Sequence, residues 1–312
     1  MDVVWSPAYE VDIGPHVFPT RKYRLVKERL VAEAVIREED LLAPSPVDDD
    51  AMARVHDEAY LTKIREADFT VMEQLLLEVP FSPELREAMV LCCGGTLLAA
   101  RRALDQGVAV HLGGGFHHAF AGHGEGFCLL NDVAVAIRSL QADGEVGRVA
   151  VVDLDVHHGN GTAAIFAGDA TVFTFSMHQE NNYPAIKPPG DLDVGLDDGT
   201  DDATYLGLLD EHLPRVLDGF EPDLVVYLAG ADPYRDDQLG GLALSLEGLA
   251  MRDRRVFEYC RERGVPVAVT LAGGYAVDPA DTVSIHCATV REAVRVTQAG
   301  GGSAVRLGPS SE

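Results

Sequence analysis

Arg148-Val149-Ala150-Val151-Val152-Asp153-Leu154-Asp155-Val156-His157-His158-Gly159-Asn160-Gly161 carries fold and chemistry in one short run. Its first half is near-continuously apolar, the pattern of a strand buried on both faces of a parallel sheet. Its second half is polar and ends in a glycine turn. Carboxylates and imidazoles at a buried strand end are unfavourable unless they are paired or hold a metal. In an extended chain Asp155 and His157, two residues apart, point to the same side. One backbone segment can therefore offer two ligands to one ion.

Outward from this run, residues 107–112, 171–176, 223–229 and 265–272 read as four more buried strands. Between them the spacing predicts helices over 82–104, 131–141, 202–217, 245–263 and 278–297. Pro83 sits in the first turn of the first, and Ser245 is a capping residue. Alternation of strand and helix predicts an α/β class, a mostly parallel sheet flanked by helices in three layers. Residues 1–80 read as more helical and irregular. Residues 48–50 and 197–202 are acidic loops, and 183–190 is a Pro-rich loop. The expectation is a single domain over 1–298, followed by a loose Gly/Ser-rich tail over 299–312.

Polar clusters follow four of the strands, and ligands in open α/β sheets bind beyond the strands' carboxyl ends. Gly113-Gly114-Gly115-Phe116-His117-His118 offers a tandem histidine pair suited to general acid and base work, or a plain exposed loop. Its glycines do not form a nucleotide-binding fingerprint. Ala229-Gly230-Ala231-Asp232 offers a third ligand. Two carboxylates and one imidazole leave an open position for water, as in catalytic zinc sites. Zn²⁺ and Fe²⁺ both suit such a set. Ala272-Gly273-Gly274-Tyr275 presents a phenol able to donate to a developing oxyanion.

Composition narrows the function. A net charge of −25 over 312 residues repels phosphate backbones and argues against nucleic-acid binding. It suits cationic substrates. No apolar stretch reaches the roughly 18 to 20 residues of a membrane span. The first residues lack the features of a signal peptide. The five cysteines form no Cys-x-x-Cys pair and read as reduced thiols, so a cytoplasmic setting is expected.

The ordered motifs resemble those of the zinc-dependent histone deacetylases and their bacterial relatives, within the arginase/deacetylase superfamily. The motifs are Gly114-Gly115-Phe116-His117-His118-Ala119, Gly126-Phe127-Cys128-Leu129-Leu130-Asn131-Asp132, the run Asp153 to Gly161, Ala229 to Asp232, and Gly273-Gly274-Tyr275. The stretch His16 to Tyr23 and the phrase Asp237-Gln238-Leu239-Gly240-Gly241-Leu242 look most like the class IV branch. The resemblance implies that Asp155, His157 and Asp232 bind the metal. It implies that His117 and His118 are catalytic with Asp153 and Asn160 as their partners, and that Tyr275 polarises the carbonyl. It implies a substrate channel at Gly126, Phe127 and Tyr183. It also implies K⁺ near Asp153 and Ser176. Asn160 stands where many relatives have aspartate, which lowers the expected basicity of His118.

The implied reaction is hydrolysis of an amide by a metal-activated water, releasing an acyl group from acyl-lysine or from an acylated polyamine. The class IV likeness makes long acyl chains worth testing. Two other readings remain. A ureohydrolase of the same architecture needs two manganese ions and further Asp and His ligands. A non-catalytic relative would act as a sensor or interaction protein.

Overall fold

The computed structural model describes residues 1–300. Eight strands form one sheet: β1 (Val3–Val4), β2 (Leu41–Leu42), β3 (Val108–His111), β4 (Val149–Asp153), β5 (Val172–Gln179), β6 (Leu192–Leu196), β7 (Leu224–Leu228) and β8 (Val267–Thr270). Their order is β2-β1-β3-β8-β7-β4-β5-β6, and every pairing is parallel. β3, β4, β7 and β8 are buried along their whole length. Their Val and Leu side chains pack against helices on both faces, which is why these strands read as unbroken apolar runs.

Ten α-helices accompany the sheet among the described residues: α1 (Lys22–Ala32), α2 (Asp49–Ala53), α3 (Glu58–Glu66), α4 (Val71–Leu77), α5 (Pro83–Gln106), α6 (Asp132–Ala142), α7 (Asn160–Ile165), α8 (Asp202–Phe220), α9 (Leu246–Arg263) and α10 (Pro279–Gly300). α5 and α6 pack together in one layer; α1, α10, α9 and α8 adjoin in that order in another. Helix starts follow local chemistry. Ser82, Asn131 and Ser245 each accept a backbone N–H from the first turn, and Pro83 follows its cap directly.

Three strands escaped the sequence reading. β1 and β2 have two residues each and lie at one edge, inside the segment expected to be irregular. β6 closes the other edge, where its burial alternates and Asp193 and Gly195 face outward. An edge strand lacks the two-sided burial that makes an apolar run conspicuous. The last helix runs to Gly300, past the expected end at 297. The rest of the expected Gly/Ser-rich tail, 301–312, lies outside the described residues.

Candidate active site

β4 ends at Asp153, and the chain then turns so that Asp155 and His157 meet Asp232, which follows β7. Ligand-capable atoms of these three buried residues lie within 4.8 Å of one another. His157 Nδ1 is 3.0 Å from Asp155 Oδ1 and 3.5 Å from Asp232 Oδ2. The outward oxygens are fixed by backbone donors. Asp155 Oδ2 accepts from Gly273 N at 2.8 Å, and Asp232 Oδ1 accepts from Val156 N at 2.9 Å. Asp232 Oδ2 is buried without a hydrogen-bond partner. Gly273 comes so close that a Cβ there would stand 1.9 Å from Asp232 Oδ2 and 2.6 Å from Asp155 Oδ2. Only glycine fits.

The charges in this group are unbalanced in a telling way. Burial alone would lower the His157 pKa, but its hydrogen bond to Asp155 and the charges of the Asp155 and Asp232 carboxylates raise it to about 10. Burial and the charge of Asp155 push Asp232 up to about 7. Two buried carboxylates are thus held by one borrowed imidazolium. A buried carboxylate oxygen with no donor, aimed at a two-carboxylate, one-imidazole cluster, fits a divalent cation.

The tandem histidines follow β3. His117 Nδ1 lies 2.7 Å from Asp153 Oδ2, His118 Nδ1 lies 2.7 Å from Asn160 Oδ1, and the two Nε2 atoms face each other at 3.1 Å. Burial would lower the His117 pKa, but the Asp153 and Asp155 carboxylates outweigh it and raise it to about 9. His118 moves the other way. Burial and the neighbouring His117 and His157 hold it well below its ordinary value, and the bond to Asn160 only partly opposes them. The pair therefore divides into one imidazole that holds its proton and one that is free to accept one.

Tyr275 follows β8. Its N–H donates to Asp237 Oδ2 at 2.7 Å, which holds the loop. Its ring edges against Phe127 and His157 at 5.9 Å and 6.5 Å between centroids. Lys22 lies beneath. Its ammonium, 2% exposed as a residue, donates to Ala272 O at 2.6 Å and lies 5.6 Å from the Tyr275 ring. Phe127 has φ +69°, unusual for a bulky residue, directly after Gly126 at φ +52°. This turn sets the Phe127 ring parallel to Phe18 and opposite the wall formed by Tyr183, whose ring stands edge-on to His118 at 5.0 Å. The resulting cavity, about 170 Å³, is lined by His117, His118, Asp155, His157, Phe127 and Tyr275 among others.

Residues 16–290 match the histone deacetylase domain family. The chain belongs to the histone deacetylase family. It is 31% identical over 297 residues to Histone deacetylase 2 of Arabidopsis thaliana, covering 91% of this chain and 77% of that protein. It is 43% identical over 285 residues to an uncharacterized protein of Picosynechococcus, covering 91% and 95%. In fold it is similar to the crystal structure of the HDA15 HD domain, with a TM-score of 0.78 at 24% identity, over 94% of this chain and 88% of that one.

Against this histone deacetylase fold, several residues shape the site that the sequence named only as part of a motif or not at all. Asp132 accepts from Gly115 N and Phe116 N at 3.0 and 2.7 Å, and Asn131 Nδ2 donates to Ala119 O at 3.1 Å. Together they pin both ends of the histidine loop. Arg252 on α9 is fully buried and donates to Leu154 O at 3.1 Å and Gly230 O at 2.7 Å. It ties together the two turns that carry Asp155 and Asp232. A signal was present: Leu249, Arg252, Asp253, Val256, Phe257 and Cys260 share one buried helical face, so a charged pair sits where an apolar one is expected.

Asp153 and Ser176 are paired across β4 and β5, as a shared K⁺ would need. Yet Ser176 Oγ already meets His178 Nδ1 at 3.0 Å, and Asp153 Oδ1 accepts from Asp155 N at 3.1 Å. Ala272 adopts φ +51°, a left-handed backbone that costs a residue with a Cβ roughly 1 kcal/mol. A second group of ligand-capable residues, His158, His178 and Asp193, shares no residue with the first. A bridged two-ion centre needs a carboxylate common to both ions, so this group does not supply one. His158 Nε2 instead meets Asp193 Oδ1 at 3.2 Å.

Proposed function

We propose that this chain is a metal-dependent deacylase that hydrolyses the amide of a short-chain acylated primary amine, acyl-lysine or acylated polyamine. Membership of the histone deacetylase family makes it a deacetylase-type hydrolase. The observation that carries the finer reading is the unpartnered Asp232 Oδ2, buried beside Asp155 and His157, two residues that line one cavity with the tandem histidines and Tyr275. Asp155, His157 and Asp232 would hold Zn²⁺ or Fe²⁺, which supplies Lewis acidity and a more acidic water when bound.

The protein's own groups do the rest. His118 gives its Nδ1 proton to Asn160 Oδ1 in a hydrogen bond and so leaves Nε2 to take a proton from the attacking water. The same atom returns it to the departing amine. His117, kept protonated by Asp153, is an electrostatic support across 3.1 Å. Tyr275 donates to the oxygen that gains charge. Phe127 and Tyr183 flank the chain that leads to the scissile bond. A cavity of about 170 Å³ is small beside the roughly 300–1,000 Å³ usual for ligand pockets. It favours an acetyl group on an extended alkyl amine over a long acyl chain. Five buried cysteines, none in a disulfide, support a reducing, cytoplasmic setting. The class IV subtype, a single catalytic domain over 1–298, and a K⁺ ion beside Asp153 and Ser176 belong to the same reading.

The test is a panel of acetyl-lysine peptide, myristoyl-lysine peptide and acetylspermidine, each with and without a hydroxamate. An acetylated substrate should turn over and the hydroxamate should stop it, with the myristoyl peptide slower. Silence across the panel from protein carrying one ion per chain would overturn the catalytic reading.

Metal affinity should depend steeply on pH. His157 must lose the proton it holds up to about pH 10, and Asp232 the one it holds up to about 7. Binding releases these protons, so acid weakens it. The apparent association constant should rise about tenfold per unit between pH 7 and 10, and more steeply below 7. Titration against a competing chelator at several pH values reads this slope. An affinity flat between about pH 6 and 8 would contradict the assigned ligands.

A further inference from the structure

Asn160 brings an amide to His118, and an amide can present either its oxygen or its NH₂ group. Which end faces the imidazole decides the tautomer. Here Oδ1 faces His118 Nδ1 at 2.7 Å, and Nδ2 donates to Glu125 Oε1 at 2.8 Å. The same Glu125 oxygen accepts the Tyr183 hydroxyl at 2.8 Å, and Oε2 lies 3.3 Å from His123 Nε2. The Glu125 side chain is 15% exposed. Burial would raise its pKa, but hydrogen bonds from His123, Tyr183 and Asn160 hold it below the ordinary carboxylate value. An ionised carboxylate only accepts hydrogen bonds. Only the NH₂ end of Asn160 can therefore face it, which commits Oδ1 to His118. His118 then keeps its proton on Nδ1 and leaves Nε2 open.

We propose that Glu125 is a positioning residue for the deacylation. Through the Asn160 amide it sets the tautomer of His118, and through the Tyr183 hydroxyl it holds the channel wall that packs against the same imidazole. Within the proposed deacylase reading on which this rests, the negative charge stands one side chain out from this histidine, beyond the Asn160 amide. The relay is carboxylate, amide, imidazole. Glu125 immediately precedes the Gly126–Phe127 turn, so one loop supplies both the relay's charge and the channel's ring.

The experiment compares Glu125→Ala, Glu125→Gln and the pair Glu125→Gln with Asn160→Asp in the full chain. Glu125→Ala should lower kcat roughly ten- to a hundredfold, the range seen when the outer partner of an active-site histidine is removed, with KM little changed. Glu125→Gln keeps an acceptor and loses the charge, so it should fall between. In the double variant the introduced glutamine amide can donate to an aspartate that itself holds the His118 proton, so kcat should recover above either single Glu125 variant. That non-additivity marks a shared relay.

Imidazole ¹⁵N–¹H correlation spectra provide a readout independent of turnover, with the His118 signals identified by their loss in His118→Asn. The wild-type chain should show the Nδ1–H form, and Glu125→Ala a mixture. If no acyl amide is hydrolysed, the deacylase reading fails while the spectra still decide the role of Glu125. An unchanged tautomer in Glu125→Ala overturns the proposal, as does loss of kcat with no recovery in the double variant.

Discussion

Tyr275→Phe should lower kcat by about 10²–10³, the usual loss when one oxyanion donor is removed. KM and the melting temperature should stay close to those of the unaltered protein. The ring itself carries the packing. It stands edge-on to Phe127 and His157, and its backbone is held by Asp237 and by Gln238, whose Nε2 donates to Tyr275 O at 2.8 Å. Phenylalanine keeps all of these contacts and loses only the hydroxyl. That hydroxyl is a dependable donor. Burial, then the charges of Asp232 and Asp155, raises its pKa well above the ordinary phenol value, so it stays protonated throughout the working range. Steady-state kinetics on the acetylated substrate read the effect. Wild-type kcat in the variant would remove Tyr275 from the chemistry, and a large fall in melting temperature would recast it as structural.

Arg252→Met should destabilise the fold by about 3–5 kcal/mol, the range for breaking one side of a buried ion pair. That corresponds to a melting temperature lower by on the order of 5–10 °C. Asp253 is left behind as the unpaired charge, buried and held by Thr289 Oγ1 at 2.6 Å and by the Tyr227 hydroxyl. The carbonyls of Leu154 and Gly230 lose their donor as well. Because these carbonyls sit on the two turns that carry Asp155 and Asp232, the proposed metal ligands, metal affinity should fall along with stability. Replacing both residues, Arg252→Met with Asp253→Leu, should restore part of the stability, since no isolated charge remains, while leaving the turns unclamped. Calorimetry and a chelator competition on the single and double variants separate the two effects. A single variant as stable as the original would show that the pair is dispensable.

The parts of this molecule most legible from residues alone were those with local causes. Strands β3, β4, β7 and β8 are buried on both faces, and such burial leaves an apolar run that needs no tertiary information to recognise. The polar clusters behind them stood out because polarity directly after a buried strand is unfavourable without a use. Spacing made Asp155 and His157 partners, and the ordered motifs pointed to the family to which the chain belongs. The edge strands were lost for the opposite reason. Two-residue β1 and β2, and half-exposed β6, carry too little apolar patterning to separate from loops.

Asp232 lies 75 or more residues from both Asp155 and His157 in the chain, and only the parallel pairing of β4 with β7 sets it against them. The same holds for Glu125, an ordinary loop residue in sequence that the fold lays against Asn160 and Tyr183. It holds for Lys22, an unremarked cation that ends beneath Tyr275 with its charge in the core. Which residue types can do the chemistry follows from the order of the chain, because backbone period and burial are local properties. Which atoms meet, which oxygen lacks a donor and which way an amide faces follow from packing, because those distances are set by segments remote in sequence.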